Sequence, residues 1–419
     1  MLHFFYSLFF RLALPFVLLR LWWQGRHSSE ALANWRQRLG YPEPEPEPVI
    51  WVHAVSVGET IAASPLVKAL LARNPDIPIL VTAMTATGAE RARALFGSRV
   101  RYSFSPYDTP GAVRRFMDRV NPRALVIMET ELWPNMIALC RQRNVPIFLI
   151  NARLSERSAQ GYRRVRSLVR PLLGSISWIA AQAEEDAERF LCIGARPQSV
   201  SVTGSIKFDV EVTPAIREAS AGLRREVLGA GRPVWIAAST HEGEDSQILE
   251  AHRRVLRACP ETLLVIVPRH PERFDDVATL VVHAGLSLAR RSRGEAALEC
   301  QVYLADTMGE LFMLYGASDM AFVGGSLIER GGHNPLEPAA WGIPVLSGPH
   351  VFNFETIYGR LARGDALASV GDSASLGDCI LEIIASPALA ASLGGNALAV
   401  VEANRGALEK VVNGIVERV

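Results

Sequence analysis

Hydrophobic positions follow two regimes along this chain. From residue 1 to residue 23 they are almost continuous, apolar and aromatic, broken by His3, Arg11 and Arg20. From residue 49 onward, short β-branched runs alternate with longer helical patterns. Residues 49–54, 79–82, 100–104, 124–128, 147–150, 178–181 and 200–203 read as strands, and 60–73, 87–96, 110–120, 132–143 and 184–192 as helices between them. Strand and helix alternating over seven units predicts parallel strands joined by crossover helices, an open α/β sheet. The pattern stops over 208–232, which is polar and charged with Pro214 and Gly231, and restarts at 234–238, 263–267, 286–289, 302–305, 320–323 and 345–346. The expectation is an N-terminal segment over 1–25 and two doubly wound domains, 26–210 and 211–419. Ligands of open α/β sheets sit beyond the carboxyl ends of the strands, so two such sheets are expected to face each other across an interdomain cleft.

The first 23 residues read as a membrane anchor. About 20 apolar residues cross a bilayer, but Arg11 in the middle costs roughly 2.5–3.5 kcal/mol unless it snorkels, so a helix lying in the interface is the alternative. A cleaved signal peptide fits worse, because Leu21-Trp22-Trp23-Gln24 has no small-residue cleavage site. Trp22 and Trp23 read as an interfacial belt and Arg26, Arg36 and Arg38 as a positive flank, which places the body on the cytoplasmic face of the membrane. A helical stretch is expected over 29–39. Alternating Pro and Glu over 42–48 then predicts a stiff, solvated spacer.

Length and composition narrow the classes. With 419 residues and 49% apolar content the chain can bury two cores. Its 44 basic and 43 acidic residues leave a net charge of +1, so no global field recruits nucleic acid. Five scattered cysteines without C-x-x-C spacing argue against a disulfide framework and a zinc site. No G-x-G-x-x-G follows a strand, and there is no P-loop, D-x-D or H-E-x-x-H. Catalysis is therefore expected without cofactor or metal.

Polar residues gather where strands end. Ser56-Val57-Gly58-Glu59 fits the capping pattern S-x-x-E, so Glu59 is either a cap or a reactive carboxylate. Glu129 and Glu131 follow another strand, and Lys207 follows the last strand of the first domain. In the second domain Pro268-Arg269-His270 follows a strand, and an arginine fork there suits phosphate. Asp306-Thr307-Met308-Gly309-Glu310 reads as a capped helix start or as a base or sugar contact. Ser239-Thr240-His241-Glu242 is a capping turn or a phosphate-side loop. The glycines of 324–332, followed by His333-Asn334-Pro335-Leu336-Glu337, predict a helix N-terminus that offers N–H groups to an anion, with Glu337 one turn in.

Taken together, "WVHAVSVGE", "METELWPN", "GSIKFD", "PRHPERF" and "GGHNPLEPAAWGIPVLSGPHVFNF" make the chain resemble, over nearly its whole length, the Kdo transferases, which add 3-deoxy-D-manno-octulosonic acid to the lipid A precursor. The resemblance implies an inverting, metal-independent GT-B glycosyltransferase at the inner membrane, with two Rossmann-like domains. The first would bind the lipid acceptor and the second CMP-Kdo. It implies Glu59 as catalytic base and Glu129 and Lys207 as transition-state stabilisers. CMP contacts would fall on Pro268, Arg269, Met308, Gly309, Glu310, Asn334, Pro335, Leu336 and Glu337. A UDP-sugar transferase or epimerase of the same fold, and a membrane-tethered binding module without turnover, are the competing readings.

Overall fold

A computed structural model describes residues 2–25 and 34–419 and divides them into two compact units, one made of the described residues up to 209 together with 405–419, the other of 210–404. The first unit begins with helix α1 (Leu2–Gly25). Its sheet contains β1 (Val49–His53), β2 (Ile79–Ala83), β3 (Arg101–Phe104), β4 (Pro122–Met128), β5 (Ile147–Ala152), β6 (Trp178–Ala181) and β7 (Val200–Val202). All pairings are parallel, in the order β3-β2-β1-β4-β5-β6-β7. Because strand order reverses direction between β1 and β4, the loops after these two strands part to opposite faces and leave a crevice at the carboxyl edge.

Both faces of the sheet are covered over β1, β2, β4, β5 and β6, which is why these strands are buried along nearly their whole length rather than alternating. Val49 and Trp51 enter one core with Leu125 and Phe116, while Ile50 and Val52 enter the other with Leu66, Val126 and Ile150. Four helices of this unit recur below: α2 (Val57–Arg73), α3 (Pro134–Gln142), α4 (Glu156–Arg164) and α5 (Arg166–Leu173). The last two fill a stretch that the hydrophobic pattern leaves without an element.

The second unit repeats the plan with β8 (Val234–Thr240), β9 (Leu263–Pro268), β10 (Leu288–Arg290), β11 (Val302–Leu304), β12 (Met320–Val323), β13 (Val345–Ser347) and β14 (Ala368–Ser369). The order is β10-β11-β9-β8-β12-β13-β14, again all parallel, with the reversal between β8 and β12. Helix α6 (Asp245–Ala258) follows β8. Two-residue β14 has no counterpart in the sequence reading, being too short to carry a period.

The expected second domain, 211–419, is corrected at its end. The final helix, α7 (Ala407–Val416), packs on the first sheet: Ala407, Val411, Val412 and Ile415 share a core with Ile50 and Val52. Asp209 fixes its start by accepting from Gly406 N at 2.7 Å and Leu408 N at 2.8 Å. Gly414 is required where it lies, since any side chain there would run into the ring of Trp178.

Two expectations about the N-terminal region are also corrected. The Pro-Glu tract is not a free spacer: Pro42 is buried, Glu45 N donates to Arg119 O at 2.8 Å, and the Glu45 carboxylate pairs with Arg101. Arg38 is not part of a solvated flank but is buried, its guanidinium 4.2 Å above the ring of Phe104. Of the helix expected over 29–39, only the turn Trp35–Arg38 is seen; residues 29–33 and Arg26 lie outside the described residues.

Candidate active site

At the crevice of the first unit, the peptide leaving β1 turns into α2 through Ser56. Its hydroxyl accepts from Glu59 N at 3.3 Å, so the capping reading is correct as far as Ser56 is concerned. The Glu59 carboxylate is held separately, Oε2 by Val55 N at 2.8 Å and Oε1 by the Ser56 hydroxyl at 3.1 Å. Burial is the largest influence on it and raises its pKa from 4.5 to about 7, with Glu131 and Glu129 adding repulsion against the two lowering hydrogen bonds. The position of Glu59 in the first turn of α2 favours its ionised form, but desolvation outweighs the helix terminus. Gly58 has an ordinary φ and only the Ser56 hydroxyl, 3.8 Å away, within reach of a Cβ, so open space rather than backbone strain distinguishes that position.

Glu129 is the first residue beyond β4, the strand next to β1. It stands at φ +57°, a left-handed conformation that costs a non-glycine residue about 1–3 kcal/mol and concentrates at functional sites. Glu129 N donates to Ile150 O at 2.9 Å, which fixes the turn, and Oε1 receives Lys207 Nζ at 3.1 Å. Glu131, two residues on, is raised by burial and by Glu129. Glu59, Glu129 and Lys207 therefore converge at one sheet edge from three loops.

The sequence reading missed what holds Lys207. Asn151, fully buried near the end of β5 at φ +54°, accepts on Oδ1 from the Ser205 hydroxyl at 3.1 Å and from Ile206 N at 3.3 Å. Its Nδ2 has no partner. A polar side chain inside "FLINAR" was the available signal, since a buried asparagine in an apolar strand must be bonding something.

The crevice of the second unit is built alike. Gly324-Gly325-Ser326 leaves β12 and curls round the buried Glu244, whose Oε2 accepts from Gly325 N at 2.7 Å and whose Oε1 accepts from Ser326 N and Leu327 N, each at 3.0 Å. A Cβ at Gly324 would lie within 3 Å of Ala238 O and the Glu244 carboxylate, so only glycine permits this approach. Glu244 sits three residues beyond His241 and was also missed. It shapes the loop from beneath.

Above that loop, His241 and His333 stack with Nε2 atoms 2.8 Å apart, and the ring of His270 stands edge-on to His241 at 5.4 Å. Burial lowers His241 and His333 to about 4; the first is pushed further by His270, Arg330, Arg273 and Arg269. Arg269 N donates to Thr240 O at 3.0 Å, while its exposed guanidinium pairs with no carboxylate among the described residues. Arg273 is different, being paired with Asp245. An anion thus finds the Arg269 guanidinium, which pairs with no carboxylate among the described residues, near the neutral imidazoles of His241 and His333.

The remaining predicted positions lie in two further loops of this unit. Met308 is exposed and Gly309 has φ +88°, but the Glu310 carboxylate is already taken by Arg291, Nη2 at 2.7 Å and Nε at 3.0 Å, whose bonds lower its pKa. Pro335 starts a helix of only five residues, Leu336–Ala340, so the expected dipole at its N-terminus shrinks to a single turn. Asn334 Oδ1 accepts from Leu336 N at 3.2 Å and its Nδ2 donates to Glu337 Oε1 at 3.3 Å. Desolvation raises Glu337. No group of three His, Cys, Asp or Glu side chains among the described residues is placed to hold a metal.

Comparison with known proteins bears on this geometry. A family model described as 3-deoxy-D-manno-octulosonic-acid transferase matches residues 33–210. The 3-deoxy-D-manno-octulosonic acid transferase of Haemophilus influenzae is 41% identical over 389 residues, 91% of this chain and 91% of that protein. The Bordetella pertussis transferase of the same name is 39% identical over 430 residues, 98% of each. Among solved structures, UDP-GlcNAc 2-epimerase from Neisseria meningitidis bound to UDP-GlcNAc matches with a TM-score of 0.59 at 15% identity, covering 88% of this chain and 100% of that one. That last likeness is one of fold, two parallel-sheet α/β domains of the GT-B kind.

Proposed function

We propose that this chain, which belongs to the 3-deoxy-D-manno-octulosonic-acid (Kdo) transferase family and is a glycosyltransferase of lipopolysaccharide core synthesis, moves Kdo from CMP-Kdo to the lipid A precursor lipid IVA. Transfer inverts the anomeric carbon, with Glu59 as general base, at the cytoplasmic face of the inner membrane. The observation that carries the mechanism is the setting of Glu59, a carboxylate at the carboxyl edge of the first sheet whose affinity for a proton is raised to about 7. A base works best with a pKa near the working pH, and proton transfer of this kind contributes about 10²–10⁴-fold.

A glucosamine hydroxyl of the acceptor attacks the anomeric carbon of Kdo. As the new C–O bond forms, the bond from that carbon to the CMP phosphate oxygen breaks, the hydroxyl proton passes to Glu59, and CMP leaves with the bonding pair. Lys207, aimed by Glu129, offsets charge that develops along this path, as preorganised groups do best. In the second unit Arg269 receives the phosphate, and Pro268 sets the end of the strand that presents it. Asn334, Pro335 and Leu336 supply the loop beside it, and Glu337 has Oε2 for ribose hydroxyls. With the Glu310 carboxylate committed to Arg291, Met308 and Gly309 meet CMP through their backbone.

The test is the purified protein with lipid IVA and a supply of CMP-Kdo, read by mass spectrometry of the lipid. Addition of Kdo by the parent protein and its loss in Glu59→Ala, with CMP still raising the melting temperature of the variant, is the expected result. Unimpaired transfer by Glu59→Ala would return Glu59 to a capping role. Thermal stabilisation by UDP instead of CMP would move the chain to another nucleotide sugar.

A further inference from the structure

Helix α1 is long and apolar enough to cross a bilayer, yet its first two turns are docked on the first unit. Its window of high hydropathy covers Leu2–Arg20. His3, Tyr6 and Ser7 share one face at i, i+3 and i+4, and that face meets the N-terminus of α3. The Ser7 hydroxyl donates to Asn135 Oδ1 at 2.8 Å, and the Tyr6 hydroxyl faces the Asp108 carboxylate. Asp108 and Asn135 are themselves buried: Asp108 accepts from Asn135 N at 2.9 Å and Met136 N at 2.8 Å, so the helix is tied to the body and not to a loose loop. His3 Nε2 is buried. Leu2 and His3 line one recess with Ala138 of α3 and Leu168 and Leu172 of α5.

The chain that follows α1 belongs to the same body. Residues 26–33 lie outside the described set, but the chain after them is seated on the first sheet, where Gln37 Oε1 accepts from Phe104 N at 2.9 Å. A 24-residue helix is about 36 Å long, and the hydrocarbon core is about 30 Å thick. A crossing helix puts its two ends in different compartments. Here the first turns of α1 and the chain from residue 34 onward belong to one folded unit.

We propose that α1 does not cross the membrane but lies in one leaflet as an in-plane anchor clamped to the body by Tyr6 and Ser7. Away from the clamp, Phe4, Phe5, Phe9, Leu12 and Phe16 are exposed on a continuous side of the helix, Phe16 by 75%. That side meets acyl chains. Beside the docked end, α4 and α5 present Arg157, Arg163, Arg164, Arg166 and Arg170 to solvent. An apolar stripe bordered by a cationic rim is complementary to an anionic phospholipid surface, which identifies the partner as a bilayer leaflet. Arg11, a penalty in a spanning helix, then lies at headgroup depth. The clamp also connects the anchor to the "ELWPN" segment that follows Glu129, so that segment is held at the lipid surface.

The experiment uses the full-length protein in native membranes. Cys192 is exposed on the body and reports its side of the membrane. A membrane-impermeant maleimide should label Leu2→Cys from the same side as Cys192; labelling from the opposite side, or from neither, overturns the proposal. In a second variant, Ser7→Cys with Asn135→Cys, mild oxidation should give a reducible intramolecular disulfide. Two free thiols that stay unlinked in the folded protein would likewise sink it. Neither readout depends on activity, so failure here and failure of the proposed reaction are distinguishable.

Discussion

Lys207 Nζ lies 3.1 Å from Glu129 Oε1, joining the loop after β7 to the loop after β4 across the two strands between them. The pair is about a third exposed on either side. An ion pair so placed is worth no more than about 1 kcal/mol to stability, so the strained φ of Glu129 is not maintained for folding. The first prediction follows from that inequality. Lys207→Ala and Glu129→Gln should each lower kcat about 10²–10³-fold while moving the melting temperature little. Combined, they should cost scarcely more than the worse single change, since each side chain acts through the other. Fully additive losses in a double-mutant cycle would assign them separate tasks.

For Glu59 the prediction concerns pH. An unfolded glutamate ionises near 4.5 and this one near 7, so between those values the folded chain keeps a proton that the unfolded chain has lost. Stability therefore falls as pH rises through that window, and by pH 8 the full cost is present. Discounted for partial exposure, that cost is about 1–2 kcal/mol. Glu59→Gln should accordingly unfold at higher temperature than the parent at pH 8, lose the difference near pH 4.5, and be inactive at both. The parent kcat/KM should rise through an apparent pKa near 7, and Glu131→Gln should shift that limb to lower pH by removing a repelling carboxylate. A limb that does not move would mean Glu131 is no part of the titrating group.

How far the chain could be read beforehand depended on whether a feature left a local trace. Strands β1 to β13 were visible because most of them are buried on both faces and so run as β-branched and apolar residues, while the edge strands β3, β7 and β10 keep shorter versions of the same pattern. The short β14, and helices α4 and α5 with their many arginines, have no such contrast. Glu59 was visible as a capping glutamate, but its raised pKa was not, because it depends on Glu129 and Glu131 brought up by a neighbouring strand 70 residues later in the chain. Asn151 and Glu244 act from beneath their loops, and a supporting residue looks like any polar residue until the loop it supports is seen. The return of α7 to the first sheet rests on Asp209 and on the fit of Gly414 to Trp178, pairings about 200 residues apart that no periodicity encodes.

Arg269 offers a prediction confined to the second unit. Its guanidinium is exposed and pairs with no carboxylate among the described residues, so Arg269→Ala should leave the stability of the free protein within about 0.5 kcal/mol of the parent, read by its melting temperature. A charge-assisted bond to phosphate is worth about 1.5–3 kcal/mol, so CMP affinity by calorimetry should drop about 10- to 150-fold. Arg273→Ala should behave in the opposite way, since it breaks the pair with buried Asp245 and lowers stability first. Equal CMP affinity in Arg269→Ala and parent would remove Arg269 from the donor site.

The last prediction comes from His252, which is buried on α6 and already has both ring nitrogens engaged. Its Nδ1 accepts from Trp235 Nε1 at 3.1 Å, so the proton is on Nε2, which donates to Gln301 O at 2.9 Å. A second proton would have to displace the Trp235 N–H from Nδ1 and bring a charge into the core, and burial accordingly lowers the pKa to about 4. An unfolded histidine titrates near 6.5, so as pH falls below that value the unfolded chain takes up a proton that the folded chain refuses. Stability contributed by this site is complete above pH 6.5 and is lost progressively down to about pH 4, to the extent of about 3 kcal/mol. His53, with Nδ1 on Thr82 Oγ1 at 3.0 Å and a pKa also lowered to about 4 by burial, adds to the same slope in the first unit. The expected result is a melting temperature that drops steeply between pH 6.5 and 4. His252→Gln, neutral throughout, should start less stable at pH 7.5 for lack of one good bond and then lose less across the window. If its pH slope matched that of the parent, the acid sensitivity would belong to other groups.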